Sequence, residues 1–166
     1  MGEKELIQAP FCVLAVDPGL SGAVCRLGQG FFSIRRDFKA REDIAYAIRE
    51  LSDEVTHAVI ENVHAMPGQG VCSMFGFGRA AGVADGALAL CCPGPVVQVT
   101  PQMWQGFFRL RLGVQKPDPF DSRHIAARIL PASAPYLSRK KDHNSADAIL
   151  LAAWRILTLA EAAKSA

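Results

Sequence analysis

The sequence predicts an α/β fold built on a mixed five-stranded sheet flanked by helices, with an antiparallel meander first and parallel strands after it. Three observations carry this reading. A continuous apolar run at 11–16 stops at Asp17; two further strand-like runs, 23–27 and 31–38, are joined by Gly28-Gln29-Gly30; and strand-like runs at 57–60 and 96–99 then alternate with stretches of helical apolar spacing. Consecutive strands joined by short turns read as antiparallel, and strands separated by helices read as parallel.

Phe11 to Val16 reads as a central strand buried on both faces. Pro18 and Gly19 force a turn directly after Asp17, with Gly22 close behind. Ala23 to Leu27 and Phe31 to Phe38 complete the meander. Arg41 to Leu51 carries Ile44, Ala45, Ile48 and Leu51 at helical spacing, with charge on the other face. His57 to Ile60 is a short strand ending at Glu61, and a glycine-rich stretch follows from Asn62 to about Val71. Met74 to Leu90, rich in Ala and Gly, is expected as a helix packed closely against the sheet. After the strand 96–99, Thr100 and Pro101 cap and open a short helix carrying Trp104, because proline suits the first helical turn. Asp121 to Leu130 is helical and Pro131 ends it; Ala146 to Ala163 is a long, largely buried final helix.

The 166 residues suit one compact domain, and half are apolar, enough for a sizeable core. A formal net charge of +2 does not by itself indicate a polyanionic partner. The basic residues are grouped, however: Arg35, Arg36, Lys39 and Arg41; Arg109, Arg111 and Lys116; Arg139, Lys140 and Lys141. Three such groups in a small chain favour a polyanion. The five cysteines form no C-x-x-C pair and are expected to be reduced thiols in an intracellular protein. The N-terminus does not resemble a signal peptide, and no apolar run is long enough to span a bilayer.

Two apolar strands end in carboxylates, Asp17 and Glu61, and a third acid, Asp147, lies at the start of the last helix. Carboxylates so placed can converge on one edge of a sheet and offer the hard oxygen ligands that Mg2+ and Mn2+ prefer. Two such ions roughly 3.5–4 Å apart clamp a phosphate and activate water for in-line attack. His143, four residues before Asp147, shares its helical face; Asn144, three before, also reaches inward. Each has an ordinary alternative. Asp17 suits a turn, Asp147 complements a helix dipole, and Asn144 or Ser145 suits an N-cap. Glu61 has no such local explanation.

These residues carry a resemblance. The run from Val13 through Val16-Asp17-Pro18-Gly19 to Gly22 resembles the first strand and turn of RuvC-type Holliday-junction resolvases. Val59-Ile60-Glu61 resembles their second acidic strand, and Val99-Thr100-Pro101 with Trp104 resembles a later strand and helix of the phage-like and organellar branch. Asp142-His143 with Ala146-Asp147-Ala148-Ile149 resembles the terminal acidic helix. The resemblance spans most of the chain in the right order. It implies a single RNase H-like nuclease domain over residues 1–166, a homodimer, two Mg2+ or Mn2+ ions per active site, and paired nicks across a four-way DNA junction. It places Asp17, Glu61 and Asp147 at the family's acidic positions. At the fourth position, where many members carry an acid, this chain offers His143, with Asn144 as the alternative.

The stretch after Glu61 holds the candidates for reading the junction. Gln69 suits a base edge, and Met66 or Phe75 suits a wedge between bases. Phe77 reads as core, Phe75 as either core or wedge, and Arg79 as either a phosphate contact or a loop cap. Arg109, Arg111, Lys116, Lys140 and Lys141 are candidates for phosphate contacts without sequence readout. The rival readings are an RNase H-like nuclease for other DNA or RNA, a non-catalytic junction-binding module, and an ATP-binding fragment suggested by the Asp-Pro-Gly turn. The last lacks room for two lobes and shows no second phosphate loop.

Overall fold

A computed structural model describes residues 2–63, 68, 70–113 and 120–165. Its sheet is the expected one. Strands β1 (Val13–Asp17), β2 (Ala23–Gly28) and β3 (Phe31–Arg36) form an antiparallel meander. Strand β4 (His57–Glu61) pairs in parallel with the other side of β1, and β5 (Val96–Val99) pairs in parallel with β4. The order across the sheet is β3-β2-β1-β4-β5.

Successive strand residues point to opposite faces, and β1 fills two cores at once. Val13 and Ala15 pack into one apolar cluster, while Cys12, Leu14 and Val16 pack into the other. β4 divides the same way, with Val59 on the first side and Ala58 and Ile60 on the second. The first cluster lies beneath helices α1 (Glu3–Ile7), α4 (Pro101–Leu112), α5 (Ser122–Ile129) and α6 (His143–Ser165). The second lies beneath α2 (Arg41–Leu51) and α3 (Val71–Cys91). Asp17 and Glu61 are in phase with Val13, Ala15 and Val59, so alternation sends both carboxylates to the α6 side.

Several boundaries differ from the sequence expectation. β3 ends at Arg36 because Asp37 turns into left-handed backbone, φ 59°. The short α1 was not expected; it anchors through Leu6, which is fully buried. Thr100 stands at the N-cap of α4, but its side chain makes no capping hydrogen bond. Asp121 does cap α5, accepting from the His124 backbone N–H at 3.2 Å. α6 starts at His143, directly after a 3-10 turn at Lys140–Asp142, so neither Asn144 nor Ser145 is its N-cap.

The largest correction concerns α3. It packs mainly on α2 and buries only Ala80, Ala84, Ala87 and Leu88. At Gly76, Gly78, Gly82 and Gly86 an added Cβ would meet nothing within 4 Å, so these glycines do not serve close packing against the sheet. Phe77 is not core either; it is 39% exposed and its ring lies against Gly19, 3.2 Å from where a Cβ would stand.

The turn after Asp17 has no room to spare. A Cβ at Gly22 would lie 2.0 Å from the Asp17 carbonyl oxygen, a backbone atom that cannot swing aside. Gly22→Ala is therefore expected to lower stability by about 1–3 kcal/mol, the usual range for overpacking. Chemical denaturation checks this, and an unchanged midpoint would show that the turn is free to relax.

Candidate active site

The parallel register sets Val16 opposite Ile60, so Asp17 and Glu61 leave the sheet at the same edge. α6 crosses that edge with its first turns and brings Asp147 to it. Asp17 is 8% exposed. Burial pushes its carboxyl well above the usual carboxylate range, and the charges of Glu61 and then Asp147 push the same way. Glu61 is also raised by burial, partly offset by the Trp104 indole N–H, which donates to Glu61 Oε1 at 2.9 Å. Asp147 is pushed up to about 6, first by burial; a hydrogen bond from the Ser122 hydroxyl opposes this, the Glu61 charge adds to it, and His143 opposes it.

The fourth position is now distinguished by contacts. Asn144 Nδ2 donates to the Ser21 carbonyl at 2.8 Å and ties the start of α6 to the turn that follows Asp17. His143 is exposed, with Nδ1 3.4 Å from the Lys140 carbonyl, and its charge acts on Asp147. Asp142, next to His143, faces elsewhere. Its Oδ1 lies 2.7 Å from Arg36 Nη1 and 2.7 Å from Arg139 Nη2, in a buried ion network. Arg139 Nη2 also reaches Asp37 Oδ2 at 2.7 Å, and Lys141 Nζ reaches Asp37 Oδ1 at 2.8 Å. A cleft of about 340 Å3 opens here, between Ser21 and the basic side chains of Arg36, Arg139 and Lys141.

Three carboxylates and an imidazole form a suitable donor set for a hard dication, and the upward shift of all three acids is the electrostatic stress that a cation relieves. Among the described residues no three His, Cys, Asp or Glu side chains stand close enough together to hold an ion as they are. The carboxylates would have to draw in around one.

The proposed DNA-facing residues have mixed placements. Phe75 is 67% exposed, so it is not core, and the Arg79 guanidinium lies over its ring at 5.8 Å. Arg109 lies over Phe120 at 5.4 Å. Arg111 lies over Phe107 at 4.3 Å and pairs with Glu161, which ties α4 to α6. Lys140 is exposed, and Lys141 is committed to Asp37. Met66, Gln69 and Lys116 lie outside the described residues. Sequence reasoning missed the roles of Trp104 and Ser122 as hydrogen-bond donors to the acids, because both contacts join segments far apart in the chain. It grouped Arg36 and Arg139 with surface charge, whereas both close on the buried Asp142.

No protein-family model and no curated protein matches the sequence. Solved structures do match. RuvC of Thermus thermophilus aligns with a TM-score of 0.55 at 15% identity, covering 87% of this chain and 92% of that one. The complex of T. thermophilus RuvC with a Holliday junction substrate gives 0.51 at 12%, covering 87% and 91%. The yeast mitochondrial Holliday junction resolvase Ydc2 gives 0.51 at 14%, covering 90% and 79%. At these identities the likeness is one of fold: the chain has the RNase H-like architecture of the RuvC-type resolvases.

The raised Asp147 gives a stability prediction for the metal-free protein. The folded chain holds this proton more tightly than an unfolded one, so the Asp147 contribution is present at low pH and is lost as pH rises from its ordinary 3.8 through about 6. Asp147→Asn is expected to melt above the wild type at pH 7.5 in chelator, with the gap closing near pH 4. A gap independent of pH would place the ionisation elsewhere.

Proposed function

We propose that this chain is a structure-selective endonuclease that resolves four-way DNA junctions by paired phosphodiester hydrolysis dependent on Mg2+ or Mn2+. The observation that carries the proposal is the convergence of Asp17, Glu61 and Asp147 on one edge of a RuvC-like sheet, all three shifted toward protonation by burial, with like-charge repulsion adding to the shifts of Asp17 and Asp147. Residues 1–166 act in this reading as one nuclease domain.

Asp17, Glu61 and Asp147 are the residues that would hold the ions, with His143, which acts electrostatically on Asp147, as the fourth ligand and Asn144 as the alternative, since its bond to Ser21 uses Nδ2 and not the oxygen that would bind a metal. When bound, the dications polarise the scissile phosphate and lower the pKa of water for in-line attack. The chain's own residues define where this happens. Asp17 fixes the position, since its backbone is locked between a paired strand and a crowded turn. Exposed Lys140 favours phosphate backbone beside the acidic edge, whereas Arg36, Arg139 and Lys141 in the adjoining cleft are already paired with Asp37 and Asp142. Phe75, exposed on the first turns of α3, is the described candidate for a wedge at the crossover.

Paired nicks require two sites, and the open face of α3 is the proposed seat of a homodimer. It exposes Val71, Phe75, Gly78, Gly82 and Leu90. The cysteines are unpaired, which supports a reducing compartment, whether cytoplasm, nucleoid or organelle. No helix among the described residues is long and apolar enough to cross a membrane.

The deciding assay offers a mobile four-way junction, duplex, fork and RNA–DNA hybrid with Mg2+ or Mn2+, and the junction is expected to be cut selectively. Equal cutting of all four overturns the resolvase reading; junction binding with no cutting in either metal leaves a non-catalytic binder. Asp17→Asn is expected to reduce cleavage to background while junction affinity in gel shifts stays within about threefold, because a lost ligand is not a lost basic contact. Gly82→Glu is expected to convert a dimer to a monomer in light scattering and to abolish paired nicks. A wild type that is monomeric at micromolar concentration and still nicks in pairs overturns the α3 interface.

A further inference from the structure

Acids in this chain meet two kinds of hydrogen-bond donor. Asp142 receives two guanidinium groups, from Arg36 and Arg139, and Asp37 receives Arg139 and Lys141. The acidic edge is treated differently. Glu61 Oε1 accepts from the Trp104 indole at 2.9 Å. This donor is neutral. Trp104 is fully buried and its ring is held edge-on against Phe120, centroids 5.4 Å apart.

The distinction has a chemical consequence. A cationic donor would fix a carboxylate and also neutralise it, so that it would attract a dication less. A neutral donor fixes the carboxylate's rotation and occupies one lone pair, but leaves the full charge for a metal.

We propose that Trp104 is a positioning residue: a neutral donor that holds Glu61 Oε1 and leaves the other carboxylate oxygen and the charge to a divalent cation. The proposal rests on the metal-dependent reading above. It makes Trp104 more than core filling.

The test is Mn2+ binding by the DNA-free protein, read from the free-ion electron paramagnetic resonance signal. Wild type and Trp104→Phe are compared, each also in the Glu61→Gln background. Trp104→Phe is expected to bind Mn2+ about 10–100-fold more weakly, the usual effect of losing a hydrogen bond to a metal ligand. It is expected to add nothing once Glu61 is Gln. Unchanged Mn2+ affinity in Trp104→Phe overturns the proposal. So does a full additional loss in the double variant, which marks general loosening of the site. A wild type that takes up no Mn2+ overturns the metal-dependent reading itself, and the inference with it. Near-UV circular dichroism checks that Trp104→Phe keeps its tertiary packing. Should it unfold, replacing the Trp104 indole by its isosteric benzothiophene analogue, which loses only the N–H, decides the matter by the same criterion.

Discussion

Parallel pairing of β1 with β4 sets Val16 against Ile60, and the next residue of each strand, Asp17 and Glu61, leaves the sheet side by side. The side-chain period of two then decides which way they face. Val13, Ala15 and Val59 pack toward α6, so the carboxylates two residues on in each strand face α6 as well. A one-residue slip would turn a carboxylate toward the apolar cluster beneath α2 and α3. The register is protected by burial on both faces, because every β1 residue before Asp17 is fully occluded. The site is thus a by-product of core packing. Asp147 completes it because α6, anchored on β1 and β2 along its length, starts at the same edge.

That arrangement is electrostatically unfavourable in the protein alone. Three acids share a poorly solvated edge; burial raises all of them, and repulsion adds to the shifts of Asp17 and Asp147. A few residues away the same chain solves the same problem differently. Burial pushes Asp142 up too, but Arg139, through side chain and backbone, and Arg36 together outweigh it, and the net shift is downward. Asp37 is held at about 2 by Lys141 and Arg139. Cations were therefore close at hand, and they are spent on Asp142 and Asp37 rather than on the acidic edge. Asp142 and Asp37 are thus paired with cationic side chains, whereas Glu61 meets a neutral indole. Burial alone does not draw this contrast, since Asp142 is less exposed than Asp17.

Much of this was legible in the sequence because it is local. Unbroken apolar runs and their terminal acids mark β1 and β4, the Gly28-Gln29-Gly30 turn marks the hairpin, and the strand order follows from which connections contain helices. What the sequence hides is long-range. Asn144 Nδ2 donates to the Ser21 carbonyl, 123 residues away. Trp104 and Glu61 are 43 residues apart, and nothing in the α4 sequence separates an indole that fills the core from one that also donates to an acid. Asp37, in left-handed backbone, ends β3 two residues early so that its carboxylate can meet Arg139 and Lys141, and neither partner is close in sequence.

α3 was read least well, and the reason bears on how two sites would be held together. Glycine within a helix is about 0.8–1 kcal/mol less favourable than alanine at each position. α3 carries Gly76, Gly78, Gly82 and Gly86, and an alanine Cβ at any of them would touch nothing in this chain. Within one copy the glycines therefore lower helix stability with no packing in return, while the buried stripe is made of Ala80, Ala84, Ala87 and Leu88. Gly78 and Gly82 lie one turn apart and continue toward Val71 and Phe75, so small and apolar residues share the outward face. A bare helical backbone of this kind gains its packing when another backbone approaches closely. In the proposed homodimer that backbone would be a second copy of α3, laid against the first.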